Sequence, residues 1–267
     1  MHKVGFWGCG NLAKIIAEKL SDGTVTGYQI VGAYDIDPDA AGKLSQICGS
    51  KACGSMDELI ELMPEYIIEE VSPVVLKKEA FRIIRRGINL IILSCGAMAD
   101  DSFASRLAEY AEKSKAKVYL ASGAIGGFDI MGAARLMGNL KASVINEKSP
   151  EALNGAPYLK GRLLDKEKEE LLFYGTAREA IDFFPQNLNV AVAAATATSG
   201  VDNTSVCLKS VPGMALNTHI IELEGNFGNA SLKISSYPSA NNAKSSEIAA
   251  WSVLYILWKL RRSIVFY

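Results

Sequence analysis

Residues 4–20 constrain this chain more than any other segment. Val4-Gly5-Phe6-Trp7 reads as a buried strand, and Asn11 to Leu20 has helical spacing through Leu12, Ile15, Ile16 and Leu20. Between them lies Gly8-Cys9-Gly10-Asn11-Leu12-Ala13, a G-x-G-x-x-A turn. Gly8 permits a tight turn, Gly10 lets the backbone approach a pyrophosphate, and Ala13 allows close helix–strand packing. N–H groups at the helix start act with the helix dipole to favour an anion, with Asn11 and Leu12 as cofactor-binding candidates. In this strand–turn–helix setting the loop points to a dinucleotide; the plainer alternative is a glycine-rich connection. Asp35 ends the second strand, 22 residues past Ala13, where a carboxylate accepts hydrogen bonds from an adenosine ribose. Its alternative is a turn-forming Asp ahead of Asp37-Pro38. Asp35 and Asp37 would repel a 2′-phosphate, with no adjacent Arg or Lys to offset them. The expected cofactor is therefore NAD, with NADP as the alternative.

Short apolar runs and helical patterns then alternate to about residue 120. Strands are expected at Ile30–Tyr34, Tyr66–Glu70, Ile88–Leu93 and Val118–Leu120. Helices are expected from Pro38, from the Ser55–Glu58 capping box, from Pro73 to Arg86, and from Ser102 to Lys113. Continuous apolar strands separated by helices predict a Rossmann-type, doubly wound parallel sheet over residues 1–123. The rhythm changes after Ser122-Gly123-Ala124-Ile125-Gly126-Gly127. A helix at Asp129–Met137 and a strand at Lys141–Asn146 precede a polar, lysine-rich stretch from Lys148 to Glu170. Beyond it come a second capping box, Thr176 to Glu179, and a small-residue helix, Val190–Thr198. Strands at Val206–Ser210, His219–Glu224 and Ala230–Ser235 follow. Residues 124–245 are expected to form an α+β domain with a mainly antiparallel sheet. Residues 246–267 should carry a last helix, Ser246 to Arg262, able to pack on either domain.

Composition narrows the function. Of 267 residues, 49% are apolar and 21% charged, which excludes disorder and a disulfide scaffold. Lys and Arg number 28 against 29 Asp and Glu, so no excess positive field exists to hold a nucleic acid. Cys9, Cys48, Cys53, Cys95 and Cys207 are scattered and fit reduced thiols in a cytoplasmic protein. The N-terminus runs straight into the glycine loop without an apolar signal segment. The longest apolar stretch, Ile248 to Leu257, is too short for a bilayer's ~20-residue span, so no membrane partner is expected. Dispersed Cys and one internal His supply no metal site.

Three later segments are unusual for a plain scaffold: Ser122 to Asp129, Phe184-Pro185-Gln186-Asn187-Leu188-Asn189-Val190-Ala191, and Asn217-Thr218-His219. His219 is the only internal histidine, hence the only internal side chain with an ordinary pKa near neutrality, at ~6.5. Its alternative is a hydrogen-bonded strand histidine. Together with Gly5 to Leu20, Leu93 to Asp100, Gly175 to Ala191, Asn217 to Gly228 and Pro238 to Ser246, these segments resemble the L-aspartate dehydrogenase family. The resemblance implies NAD(P)-dependent oxidation of L-aspartate to iminoaspartate, which hydrolyses to oxaloacetate and ammonia or feeds NAD biosynthesis. It implies that Ala124 and Asn189 contact the nicotinamide cofactor and that His219 is the active-site histidine. If His219 handles protons, the kcat/KM profile is expected to show an ionisation near or above the ordinary ~6.5 of imidazole, since substrate amine and histidine must reach compatible protonation states. A family Asn-Pro-Lys-Thr-Ser stretch stands here as Asn242-Ala243-Lys244-Ser245-Ser246, losing the proline but keeping the lysine and hydroxyls.

A small dicarboxylic amino acid needs cationic or hydroxyl partners. Lys148, Lys244, Ser245 and Ser246 are the candidates, their alternative being a solvated surface. Arg178, in the first turn of a capped helix, is a weaker candidate. A homodimer is expected from base rates for such enzymes. A related imine or semialdehyde reductase and a non-catalytic NAD-binding protein are the competing functions.

Overall fold

The computed structural model describes residues 1–185, 187–239 and 242–266, without the side chains of 242–244. The chain divides into two units. The first is Met1–Ala121 with Ala249–Tyr267, and the second is Ser122–Ile248.

In the first unit, strand and helix alternate: β1 (His2–Trp7), α1 (Asn11–Ser21), β2 (Tyr28–Tyr34), α2 (Pro38–Cys48), β3 (Lys51–Cys53), α3 (Met56–Glu61), β4 (Tyr66–Glu69), α4 (Pro73–Ile84), β5 (Asn89–Ile92), α5 (Asp101–Ser114) and β6 (Val118–Leu120). Helix starts follow their capping residues. Asp37 caps α2 with Pro38 in its first turn, Ser72 caps α4 with Pro73 likewise, and Asp100 caps α5. Among the described residues the strands form a six-stranded sheet ordered β3-β2-β1-β4-β5-β6, every pair parallel. This is the doubly wound Rossmann plan. Strand order reverses between β1 and β4, so the carboxyl ends of β1, β2 and β4 surround the switch-point crevice where such sheets take ligands.

The second unit runs α6 (Phe128–Met137), β7 (Lys141–Lys148), α7 (Pro150–Leu153), β8 (Glu170–Thr176), α8 (Ala177–Phe183), α9 (Asn189–Ala197), β9 (Thr204–Ser210), β10 (Asn217–Gly225), β11 (Gly228–Ser236), β12 (Pro238–Ser239) and β13 (Asn242–Ser246). Its main sheet has the order β11-β10-β7-β9-β8, antiparallel except for the parallel pair β7–β9. Helix α9 is rich in alanine and fully covered from Ala191 to Ala195, so it lies close against β7, α6 and α8. The short β12 and β13 pair with each other.

Several elements differ from the sequence reading. Strand β8 begins at Glu170, the last residue of the lysine-rich stretch; a register shift between Leu171 and Phe173 leaves Leu172 and Phe173 both buried while Leu171 and Tyr174 are exposed, which breaks the alternation that marks a strand. Strand β7 continues two residues past Asn146. Ser246 ends strand β13 rather than opening the last helix, which spans Ile248–Leu260 as α10 instead of Ser246 to Arg262. Its Ala250, Val253, Leu254 and Leu257 join the core of the first unit beside Val4, Ile16, Leu20 and Ile30. Tyr28 donates its hydroxyl proton to the Leu257 carbonyl at 2.7 Å, which anchors α10 to β2.

Candidate active site

The glycine loop leaves β1 through Gly8, whose φ of +90° suits only glycine; a Cβ there would collide with the Glu70 carbonyl. Gly10 occupies the N-cap of α1 and gives it no side-chain acceptor. Another of the chain's side chains, the Glu70 carboxylate, fills that role, while Asp35 braces the loop just ahead of the helix. Asp35 accepts the Cys9 N–H at 2.7 Å, and Glu70 accepts those of Leu12 at 3.1 Å and Ala13 at 2.7 Å. A Cβ on Gly10 would approach the Glu70 carboxylate oxygens to 3.1 and 3.2 Å, so the glycine keeps the backbone open to an oxyanion. A cradle of inward N–H groups that already holds a carboxylate fits the diphosphate of a dinucleotide.

Asp35 stands at the end of β2. It forms the turn its position allows, Oδ1 accepting the Asp37 N–H at 2.9 Å, while Oδ2 braces the loop. Each carboxylate oxygen has two lone pairs, so these bonds leave acceptor capacity for a ribose hydroxyl. Ile36 beside it is 93% exposed. The sequence reading missed Glu69 and Glu70; its available signal was a Glu pair closing a buried strand next to the glycine loop. Glu69 points the other way and accepts N–H groups from Val71, Leu93 and Ser94, tying the end of β4 to that of β5. Burial pushes its carboxyl up to about 7.

In the second unit the sheet's covered face changes character along its length. Ala142, Val144, Val206, Ile221 and Leu223 are buried toward one end. At the other end the same face carries Asn146 and Lys148 from β7, Ser210 from β9 and His219 from β10, all buried. The register explains the grouping: His219 pairs with Asn146, and Lys148 with Ser210. His219 Nδ1 lies 2.7 Å from Asn146 Oδ1. With Nδ1–H donating to that oxygen, Nε2 is left as the proton-accepting nitrogen. Among the described residues, Asn146 Nδ2 and Ser210 Oγ are buried without a hydrogen-bond partner, an arrangement tolerated where a ligand supplies one.

Lys148 is not a solvated surface lysine. It is 3% exposed because β7 extends far enough for the strand's period of two to turn residue 148 inward with Ala142, Val144 and Asn146. Burial lowers its ammonium pKa to about 8. His219, 2% exposed, moves further: burial and then the Lys148 charge lower it to about 3. The imidazole of the unliganded protein thus lies well below its ordinary value. At neutral pH the ring is neutral, the state a general base requires.

The remaining candidates divide. Ala124 is buried in the turn before α6, and Asn189 begins α9. Position 123 lies 3.6 Å from Val190, counted from a Cβ built on Gly123, so these two segments meet. Ser246 bonds Ser236 and receives a long hydrogen bond from Asn217, two residues before His219. Ser245 is half-buried on β13; the side chain of Lys244, like all of Gln186, lies outside the described residues. Arg178 makes a two-pronged surface pair with Asp202 at 2.6 and 2.7 Å. Among the described residues no group of three or more His, Cys, Asp or Glu side chains could hold a metal ion, and no helix is long and apolar enough to cross a membrane.

Comparisons with known proteins cover both units. Residues 8–121 match the family model described as the homoserine dehydrogenase NAD-binding domain, and residues 129–260 match that of the aspartate dehydrogenase C-terminal domain. The first unit is thus an NAD-binding domain, and the protein is an oxidoreductase. An L-aspartate dehydrogenase of Methanosarcina barkeri is 31% identical over 97% of each chain, and one of Methanosarcina mazei is 32% identical over the same share. The crystal structure of aspartate dehydrogenase from Thermotoga maritima superposes with a TM-score of 0.77 at 25% identity, covering 100% of this chain and 99% of that one. A hyperthermophilic archaeal homoserine dehydrogenase in complex with NADPH, 12% identical with a TM-score of 0.59 over 99% of both chains, shares the fold. With two specific family models in chain order and full-length relatives above 30% identity, the chain belongs to the aspartate dehydrogenase family.

Proposed function

We propose that this protein oxidises L-aspartate to iminoaspartate with NAD, the imine then hydrolysing to oxaloacetate and ammonia. The observation that carries the reading is the polar end of an otherwise apolar sheet face, where His219, Asn146 and Lys148 are buried together. Bound NAD supplies the hydride acceptor. The backbone of Gly8, Gly10, Asn11 and Leu12 holds the diphosphate, Asp35 the adenosine ribose, and Ala124 and Asn189 the nicotinamide end. His219 Nε2 takes the proton that the neutral amine gives up as the Cα–N bond becomes C=N. The cationic Lys148, with the spare donor of Asn146, receives a substrate carboxylate, a charge-assisted bond that is strong in a dry site. Ser245 and Lys244 are the candidates for the second carboxylate. The family resemblance supports a role for the iminoaspartate in NAD biosynthesis.

The test is reduction of NAD and NADP by purified protein against L- and D-amino acids, hydroxy acids and semialdehydes. Turnover of L-aspartate, faster with NAD, is expected. Activity confined to L-malate or to a semialdehyde would refute the proposal, and cofactor binding without any turnover would favour a non-catalytic NAD-binding protein.

A further inference from the structure

The donors that a glycine loop offers to a diphosphate are engaged here by an acidic side chain of the same chain. Glu70 lies just past the end of β4, and its carboxylate takes the N–H groups of Leu12 and Ala13, the open first turn of α1. Both oxygens sit against Gly10, the position through which a pyrophosphate approaches. Two anions cannot share one first helical turn, because their repulsion is strong wherever water is largely excluded.

We infer that Glu70 competes with the cofactor's diphosphate for these N–H groups, so that NAD binding is accompanied by uptake of one proton on the Glu70 carboxylate. The inference rests on the reading that the glycine loop holds the diphosphate. The balance is one proton from solvent and one dinucleotide bound per site; the neutral acid releases the donors and removes the charge. Three other groups bear on Glu70. Asp35, from β2, disfavours its ionised form, Lys14, from α1, favours it, and the Cys9 thiol, held up at about 12, stays uncharged. Burial is the largest influence and pushes the Glu70 carboxyl up to about 7, which puts the exchange within a measurable range.

The experiment is NADH titration of the full-length protein by fluorescence and by calorimetry in buffers of different ionisation enthalpy. NADH is used because the 2′-phosphate of NADPH would itself titrate near neutrality. For the unmodified protein, Kd should be flat below about pH 7 and rise up to about tenfold per pH unit above it, with proton uptake approaching one per site. Glu70→Gln should bind with a pH-independent Kd within a few-fold of the unmodified protein's low-pH limit, without proton uptake. A flat Kd and no proton uptake in the unmodified protein would overturn the inference, and that measurement stands even if the variant does not fold. Retention of the slope in Glu70→Gln would also overturn it. Absence of NADH binding by both proteins at every pH would instead remove the glycine-loop reading, and this inference with it.

Discussion

At the residue scale, His219 combines a buried imidazole with one assigned hydrogen bond and a lysine in its electrostatic neighbourhood. His219→Ala is expected to lower kcat by roughly 10²–10⁴ while leaving NADH affinity within a few-fold. A packing role alone would lower the melting temperature with turnover nearly intact, so kcat, Kd and Tm measured together separate the two. The pH profile follows from the shifts. Since His219 is held at about 3, its neutral form persists far into acid and its protonation should not limit kcat/KM near neutrality. Lys148 loses its proton through about 8, so aspartate binding should weaken as pH rises past that point. Lys148→Met should raise KM for aspartate by about 10- to 100-fold, the value of one charge-assisted hydrogen bond. It should also move the His219 ionisation upward, though only in part, because burial is the larger cause of the depression and remains. Imidazole titration by NMR checks the second effect; an unmoved His219 would mean that Lys148 does not act on it. His219 was legible because it is the chain's only internal histidine. Asn146 was not, since an asparagine in a strand has no spacing that marks its partner across the sheet.

At the element scale, the β2–α2 turn controls the adenosine end. Asp35 braces Cys9 and Asp37, and Ile36 projects into solvent. Replacing Asp35 with Ser and Ile36 with Arg removes a repulsive carboxylate and adds a phosphate partner, so the NAD/NADP preference should shift toward NADP. Steady-state kinetics with both cofactors measures this; an unchanged ratio would place Asp35 away from the ribose. This turn was readable because glycine, aspartate and proline act locally. The polar end of the β7 face was not. Reading the strand as ending at Asn146 left Lys148 in a loop, and whether a strand runs two residues longer is decided by its partners β9 and β10.

At the scale of the whole molecule, the chain returns to its first unit through α10, and the Tyr28–Leu257 hydrogen bond secures that return. Tyr28→Phe keeps the ring but leaves a buried carbonyl without its donor. It should cost about 1–2 kcal/mol, seen as a melting-temperature drop of a few degrees with cofactor affinity unchanged. No loss of stability would show that water replaces the hydroxyl. From sequence alone came the alternation of strands and helices, the parallel sheet, the glycine loop with Asp35, and the isolated histidine, because each depends on local periodicity or on one residue's own chemistry. Tertiary structure alone decided that α10 joins the first unit, that Lys148 is buried beside the histidine's strand, and that Glu70 occupies the first turn of α1. Each of these joins positions far apart in the chain, as with Leu12 and Glu70, separated by 58 residues. Such contacts are set by strand order and register, which no local pattern encodes.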